Sequence, residues 1–550
     1  MRQTDKIARA AIVCAAMLCG SYSESRGQVE VDYPRLANYY LPDDISDREV
    51  EILSRWDLLV LANSVDNDLD VRERLEHIRE ANPGIVMLAY FSALESNVTE
   101  NPPSPMTLAC DAYDWWLRDY QDSLLYNPDF PWSMLVNMTN MEAAGGSHPE
   151  GKKPNRFLPE LIAGNHLQPY EYWSGVFYDS FTDNLLWLYE NVKDANRNAI
   201  PEYDLEEHEG EPIFSTIWAE GALILLENTL ELEPDAILIG NGQHRGALDH
   251  LNGRLYENFV RSGTNNMHSL CSNHKFLENG SRMPRISIVN GWIKDQDPTD
   301  YQSMRFTLCA TLMTDNFYSA DFGSRYHGET IWFDEYSIAP DGTVDARTTV
   351  LREDIDAEQE ILLVESTGEF EQSGVVEIDG EQIYYASKSD SAFLECFRGF
   401  PRTNKYDLRE PHSGGSTVIQ HYPGHPGYLG DPYGGAFDAN NPSVLLDDLL
   451  DEINWYPEGG EAENIDTRVW RRDFWNGTVL VNPTNQSKLV RGLGRLLYRK
   501  ILGVQDPQHN DGAVVYDTLR VPAGDGYVLA WISKTDTIPP SPPDGIYTRP

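Results

Sequence analysis

The chain has 550 residues, of which 41% are apolar, 11% aromatic and 24% charged, a composition that builds a large buried core and excludes a mainly disordered protein. Lys and Arg total 43 against 87 Asp and Glu, a formal net charge of −44. Such a surface repels phosphate backbones and anionic lipid, so nucleic acid is excluded as an expected partner.

At the N-terminus, Arg2, Lys6 and Arg9 precede an apolar run over 10–19, followed by the small residues Gly20, Ser21 and Ser23. This is the pattern of a signal peptide over 1–23 and predicts a secreted or periplasmic protein. The run is too short to cross a bilayer, and no later stretch approaches about 20 apolar residues, so no membrane span is expected. Leu18 before Cys19 and Val13 before Cys14 lack the small residues of a lipidation site. Beyond the signal, Cys110, Cys271, Cys309 and Cys396 are too dispersed for a disulfide scaffold or a zinc site but leave room for one or two bridges.

From residue 33 to about 345, short apolar runs alternate with longer amphipathic ones, the rhythm of a parallel sheet wrapped by helices. Strands are expected at 35–41, 57–61, 85–91, 133–138, 175–179, 236–241, 254–257 and 285–290, with 330–335 as a late candidate. Helices are expected at 47–55 and at 71–81, the latter stopped by Pro83 and Gly84. That is enough to close an eight-stranded α/β barrel, the (β/α)8 or TIM barrel. The character then changes. Residues 358–420 alternate with period two around Asp379-Gly380, a strong hairpin signal, and are expected to form a small inserted β module projecting from the barrel. Residues 427–456, with a helix at 445–453, are read as the end of the barrel domain. Residues 465–535, with strands at 477–481 and 526–532, are read as a C-terminal β-sandwich, and 536–550 as a flexible proline-rich tail.

In such barrels the C-terminal ends of strands line the active site. Two short apolar strands deliver acids there: Gly175-Val-Phe-Tyr-Asp179, with Asp183 following in the loop, and Gly253-Arg-Leu-Tyr-Glu257. A pair of carboxylates is what glycosidic cleavage requires, one to protonate the leaving oxygen and one to attack or stabilise the oxocarbenium-like centre. Asp179 and Glu257 are therefore the catalytic candidates, set against the alternative that strand-end acids cap helices or pair with Arg. Asp321, Asp334 and Glu335 are assigned with Asp183 to substrate hydroxyls. Of the aromatics Tyr90, Trp173, Tyr178, Trp292, Trp332 and Tyr336, which could stack on sugar rings or simply pack the core, Tyr90 and Trp292 join the substrate-binding set.

There is no phosphate loop, no Gly-x-Ser-x-Gly elbow and no His-Glu-x-x-His pattern, and no cofactor is expected. Asp194, Asn196 and Asn198 have the spacing of a calcium loop, but Ala199 stands where Gly is required and Leu205 where the bidentate Glu belongs, so a plain polar turn is the competing reading.

Tyr33-Pro-Arg-Leu-Ala-Asn-Tyr-Tyr-Leu41, Trp56-Asp-Leu-Leu-Val-Leu61, the two acid-bearing strands, Ile331-Trp-Phe-Asp-Glu-Tyr336 and Gly427-Tyr-Leu-Gly-Asp-Pro432 together resemble glycosyl-hydrolase-like family fifteen. The segments 472–483 and 522–529 are similar to the β-domain that follows such barrels. The likeness spans most of 33–532 and implies a TIM barrel related to polygalactosaminidase-like and α-galactosidase-like enzymes, with Asp179 and Glu257 as the matching acids and a polysaccharide or oligosaccharide as substrate. About 90 residues separate Tyr336 from Leu429 here, where the family runs these segments close together. Within that insertion, Ile378-Asp-Gly-Glu-Gln-Ile-Tyr-Tyr385 followed by Arg398-Gly399 resembles a small β module of phage-tail and marine bacterial proteins. The reading from sequence is a secreted glycoside hydrolase. Its rival is a non-catalytic carbohydrate-binding or surface scaffold on the same barrel.

Overall fold

The computed structural model describes residues 31–532, apart from 43, 142–147, 243, 260–266, 294–296, 323–326, 340, 401–408, 423–426, 451–464 and 494–496. The expected signal peptide and proline-rich tail lie outside the described residues. Among those residues, no helix is long and apolar enough to cross a membrane.

Eight parallel strands form the centre: β1 (Ala37–Tyr40), β2 (Leu58–Ala62), β3 (Val86–Ser92), β4 (Gly175–Asp179), β5 (Ile237–Asn241), β6 (Gly253–Phe259), β7 (Ile288–Trp292) and β8 (Phe317–Asp321). They neighbour one another in chain order, and a parallel bridge from Leu36 to Tyr318 closes the sheet into a barrel. Helices follow the strands on the outside, among them Leu69–Ala81 after β2, Phe214–Leu232 after β4 and Tyr301–Thr311 after β7. Local chemistry sets their ends. Asp68 caps Leu69–Ala81 by accepting from the Asp70 N–H, and Glu49 reaches back to the Ser46 N–H at the start of Asp47–Leu53.

The strands alternate. Leu58, Val60, Leu88, Phe177, Ile239 and Leu255 fill the barrel interior, while the residues between them, such as Val176, Tyr178 and Leu238, pack outward against the helices. At the lower end the strands converge so tightly that a Cβ on Gly253 would lie 1.6 Å from the Ile286 carbonyl oxygen.

Two strand expectations are corrected here. Residues 133–138 are not a barrel strand: Ser133–Leu135 pairs with Glu95–Asn97 in a two-stranded ribbon beyond β3. Residues 330–335 are largely irregular and end in the 3-10 turn Asp334–Tyr336, and the eighth strand is Phe317–Asp321 instead. The four described cysteines are all buried and free, with no bridge among them.

The inserted module is a six-stranded antiparallel sheet that begins at Ala346–Val350, before 358, and ends at Thr417–His421. Its hairpin turns at Asp379 and Gly380, both at positive φ (48° and 84°), the backbone that a two-residue turn needs. The module has its own core around Leu362, Val376, Ile383 and Phe393, and its other face docks on the barrel, with Arg48 over the Tyr384 ring at 4.3 Å.

The C-terminal region is a seven-stranded antiparallel sheet faced by a two-stranded one, Lys488–Arg491 with Thr518–Val521. Phe437–Asp438 and Asn441–Leu445, placed by the sequence at the end of the barrel domain, are the last two strands at one side of the larger sheet, and the described part of the expected helix at 445–453 is strand to Leu445 followed by the short 3-10 turn Asp447–Leu449, with 451–453 outside the described residues. Along Gly477–Asn482, Val479 and Val481 face the barrel's core while Leu480 faces the small sheet. The sheet lies on the helix Tyr301–Thr311, where Arg305 donates to Asp525 at 3.0 Å.

Candidate active site

The period-two alternation that fills the barrel also arms its mouth. Two residues beyond Phe177 stands Asp179, two beyond Ile239 stands Asn241, two beyond Leu255 stands Glu257, and two beyond Leu88 stands Tyr90. Each therefore points inward from the C-terminal end of its strand. Asp321 ends β8 with the parity of Phe317, and Trp292 ends β7, 41% exposed. The chain after the two acids is tightly turned: Ser180 and Asn258 both take positive φ, and the β6 ladder is bulged between Tyr256 and Phe259.

One amide holds the two acids together. The Asn241 Nδ2 donates to Asp179 Oδ1 at 2.8 Å and to Glu257 Oε2 at 3.3 Å. Those two distances limit the separation of the bonded oxygens to about 6 Å, within one side chain's reach across a sugar's anomeric centre. Asp179 is gripped further by the Ser180 N–H at 2.7 Å on Oδ1 and by the Tyr90 hydroxyl on Oδ2. Three donors thus orient a single carboxylate. Tyr90, Tyr39 and Phe177 form an aromatic floor, Tyr39 edge-on to both of the others at 6.1 and 5.3 Å.

The two acids sit in different environments. The Glu257 carboxyl is raised above the ordinary glutamate value, first by lost hydration between the barrel walls and then by the charges of Asp179 and Asp321, although part of the side chain stays open to the mouth. Glu95, on the ribbon just past β3, is pushed up to about 7 by burial, with Asp179 adding to the shift and the Asn127 amide opposing it through a 2.6 Å hydrogen bond. The Tyr39 hydroxyl is held well above its usual range by burial, then by Tyr90, Asp179, Glu257 and Asp321.

The other residues singled out from sequence divide. Tyr90, Trp292 and Asp321 join the mouth. Asp183 lies half-buried in the loop after β4 and accepts from its neighbour Asn184 at 2.8 Å. Asp334 and Glu335 lie elsewhere, 1% and 2% exposed. Asp334 accepts from the Val504 and Gln505 N–H groups and pairs with His421, and Glu335 accepts from Asn510, so both tie the barrel to the C-terminal region, with Asp334 reaching the module as well. Tyr178 bonds Thr229 on the helix side, and Trp332 packs edge-on against Trp56 at 5.4 Å, so these aromatics are core. Asp194 directs both carboxylate oxygens to backbone N–H groups of Asn198 and Ala199, and the Asn196 and Asn198 amides donate to Glu211, the bonding of a polar turn. Among the described residues no group of three or more His, Cys, Asp or Glu is arranged to hold a metal ion.

The sequence reading missed Asn241, Tyr39 and Glu95. Asn241 was findable, since a polar residue two past an inward aliphatic at a strand's end carries the same signal as the acids do.

No family model and no curated protein sequence matches the chain. Solved structures similar to it include the glycoside hydrolase domain of PelA from Pseudomonas aeruginosa, at 13% identity over 52% of this chain and 95% of that one, TM-score 0.34. Another is an Anoxybacillus α-amylase, at 9% identity over 88% and 89%, TM-score 0.37. A third is a GH36 α-galactosidase, AgaA from Geobacillus stearothermophilus in complex with stachyose, at 10% identity over 72% and 57%, TM-score 0.31. All three are described as glycoside hydrolases.

Proposed function

We propose that the chain is a glycoside hydrolase that cleaves by a retaining, two-step displacement. The observation that carries this reading is the Asn241 amide bonded to both Asp179 and Glu257, because carboxyl groups about 5 to 5.5 Å apart suit nucleophile and acid/base, whereas inverting pairs stand about 6.5 to 9.5 Å apart to admit a water. Asp179, held by three donors, is the nucleophile. Its carboxylate forms a bond to the anomeric carbon as the glycosidic C–O bond breaks, and Glu257, whose carboxyl is raised above the ordinary glutamate value by burial and by the Asp179 charge, is the acid that delivers a proton to the departing oxygen. A water then gives its proton to Glu257 and attacks the anomeric carbon, releasing Asp179 and the sugar. The resemblance to family fifteen and the signal-like first 23 residues support an exported enzyme acting on an oligosaccharide or polysaccharide.

The test is a screen of aryl glycosides and polysaccharides, followed by proton NMR of the first-formed sugar. Retention of anomeric configuration is expected. Inversion would remove Asp179 from the nucleophile's role, and binding of glycan with no release of reducing ends would favour the scaffold reading.

A further inference from the structure

Asn290 lies in the middle of β7 and is 1% exposed, yet its side-chain oxygen Oδ1 has no hydrogen-bond partner among the described residues. A buried unsatisfied acceptor costs free energy, so its persistence calls for an explanation. Its direction follows from the strand. Ile288, two residues earlier, belongs to the barrel interior, and the adjacent Gly291 faces outward, since a Cβ there would meet the Thr307 and Tyr318 side chains at 2.5 to 2.8 Å. Asn290 therefore points into the barrel.

Its neighbours are those of the site. Val289 pairs with Tyr256 and Gly291 with Phe259, which sets Asn290 opposite the Glu257–Asn258 bulge of β6, and on its other side it pairs with Ser319 of β8. Neighbouring strands lie about 4.8 Å apart, so side chains at paired positions on one face stand side by side. Asn290 is also one inward position deeper than Trp292 at the rim. On the reading above, a sugar whose anomeric carbon meets Asp179 and Glu257 lies toward Asn290, with its leaving group toward the rim.

We propose that Asn290 is a specificity-determining residue whose Oδ1 accepts a hydrogen bond from a ring hydroxyl of the sugar being transferred, so that the site selects glycosides carrying a free donor at that position. This rests on the glycoside hydrolase reading above. A site built to bond a donor discriminates strongly against an analogue lacking it, because the protein's buried group is then left unpaired.

The experiment compares wild type with Asn290→Leu and with Asn290→Ser, which keeps an acceptor on a shorter arm. The melting temperature is measured together with kcat/KM for the aryl glycoside chosen by the screen and for its monodeoxy analogues. Replacing an unsatisfied acceptor by an apolar group of similar size should leave the melting temperature of Asn290→Leu unchanged or higher, while kcat/KM falls at least about tenfold. One monodeoxy analogue, poor with wild type, should be cleaved by Asn290→Leu as well as the parent glycoside is, and Asn290→Ser should regain part of the discrimination. A drop of several degrees in Asn290→Leu, or the same discrimination among analogues in all three proteins, overturns the proposal while the hydrolase reading stands. Should wild type turn over no glycoside, a glycan array decides separately. Binding that weakens in Asn290→Leu keeps Asn290 as an acceptor for a sugar hydroxyl but ends the hydrolase reading and the transfer step with it, and binding unaffected by the variant, or no binding, ends both.

Discussion

At the scale of single residues, the mouth assigns different duties to similar groups. Amide variants of the two acids keep shape and remove charge or proton, so Asp179→Asn and Glu257→Gln should each lower kcat by about 10² to 10⁴ with the melting temperature nearly unchanged, read by initial rates and calorimetry. Asn241→Leu removes the bridging donor and should cost on the order of 10² in kcat with a smaller change in KM, since the donor orients reacting groups rather than binding the sugar. The pH profile follows from Glu257. Its carboxyl must carry a proton to act as the acid, and burial, Asp179 and Asp321 all raise its pKa, so kcat/KM should fall on the alkaline side at a pH above the ordinary glutamate value. Asp321→Asn removes one of the raising charges and should move that limb to lower pH. An unmoved limb would show that a different group titrates.

At the scale of elements, close approach decides what the strands tolerate. The strand Asp525–Trp531 crosses the helix Tyr301–Thr311 at Gly526, where a Cβ would come within 2.6 Å of the Cys309 sulfur. Cys309 is fully buried and cannot yield, so Gly526→Ala should destabilise by about 1 to 3 kcal/mol in urea titration, the usual cost of overpacking. The module hairpin shows a similar constraint. Gly380 sits at φ 84° against Pro298, where a Cβ would lie 2.2 Å from the ring, so this turn is matched both to its own strands and to the barrel loop before Tyr301–Thr311. The module is thus docked as well as inserted: Thr330 and Gln382 bond across the boundary at 2.8 Å, and Gln505 donates to Glu377.

At the scale of the whole molecule, stability carries the imprint of buried acids. Asp57, Glu95, Glu202, Glu335 and Glu377 are each pushed up to about 7, with burial the largest cause in every case. A carboxyl whose folded pKa lies above its unfolded value binds more protons in the native state between the two values, so stability falls as pH rises from about 4.5 through 7 and levels off above. Self-repulsion of a chain with net charge −44 acts in the same direction. The melting temperature should therefore be higher at pH 5.5 than at pH 8. Added salt should narrow only the repulsive part, and Glu377→Gln should flatten the remaining slope. A melting temperature independent of pH across this range would refute the assignment of these acids as protonated in the native state.

What was legible in the sequence was whatever local chemistry dictates. Short apolar runs placed seven of the eight barrel strands, Asp379-Gly380 specified a hairpin because its backbone needs are met by those residue types alone, and a carboxylate after an apolar strand marked Asp179 and Glu257 at a barrel's mouth. Phe317–Asp321 escaped because Phe-Tyr-Ser-Ala-Asp is weakly apolar, and 330–335 took its place because Ile331-Trp-Phe333 has the composition of a strand, while its rings are buried by long-range packing on Trp56, Tyr301 and Phe322. The same long-range packing turned Asp334 and Glu335 from mouth residues into junction residues. Tertiary structure alone decided that Asn241 spans Asp179 and Glu257 and that Asn290 stands opposite the Glu257–Asn258 bulge with its Oδ1 unpartnered among the described residues, since which strand ends become neighbours depends on barrel closure and stagger, and neither is written in any single segment.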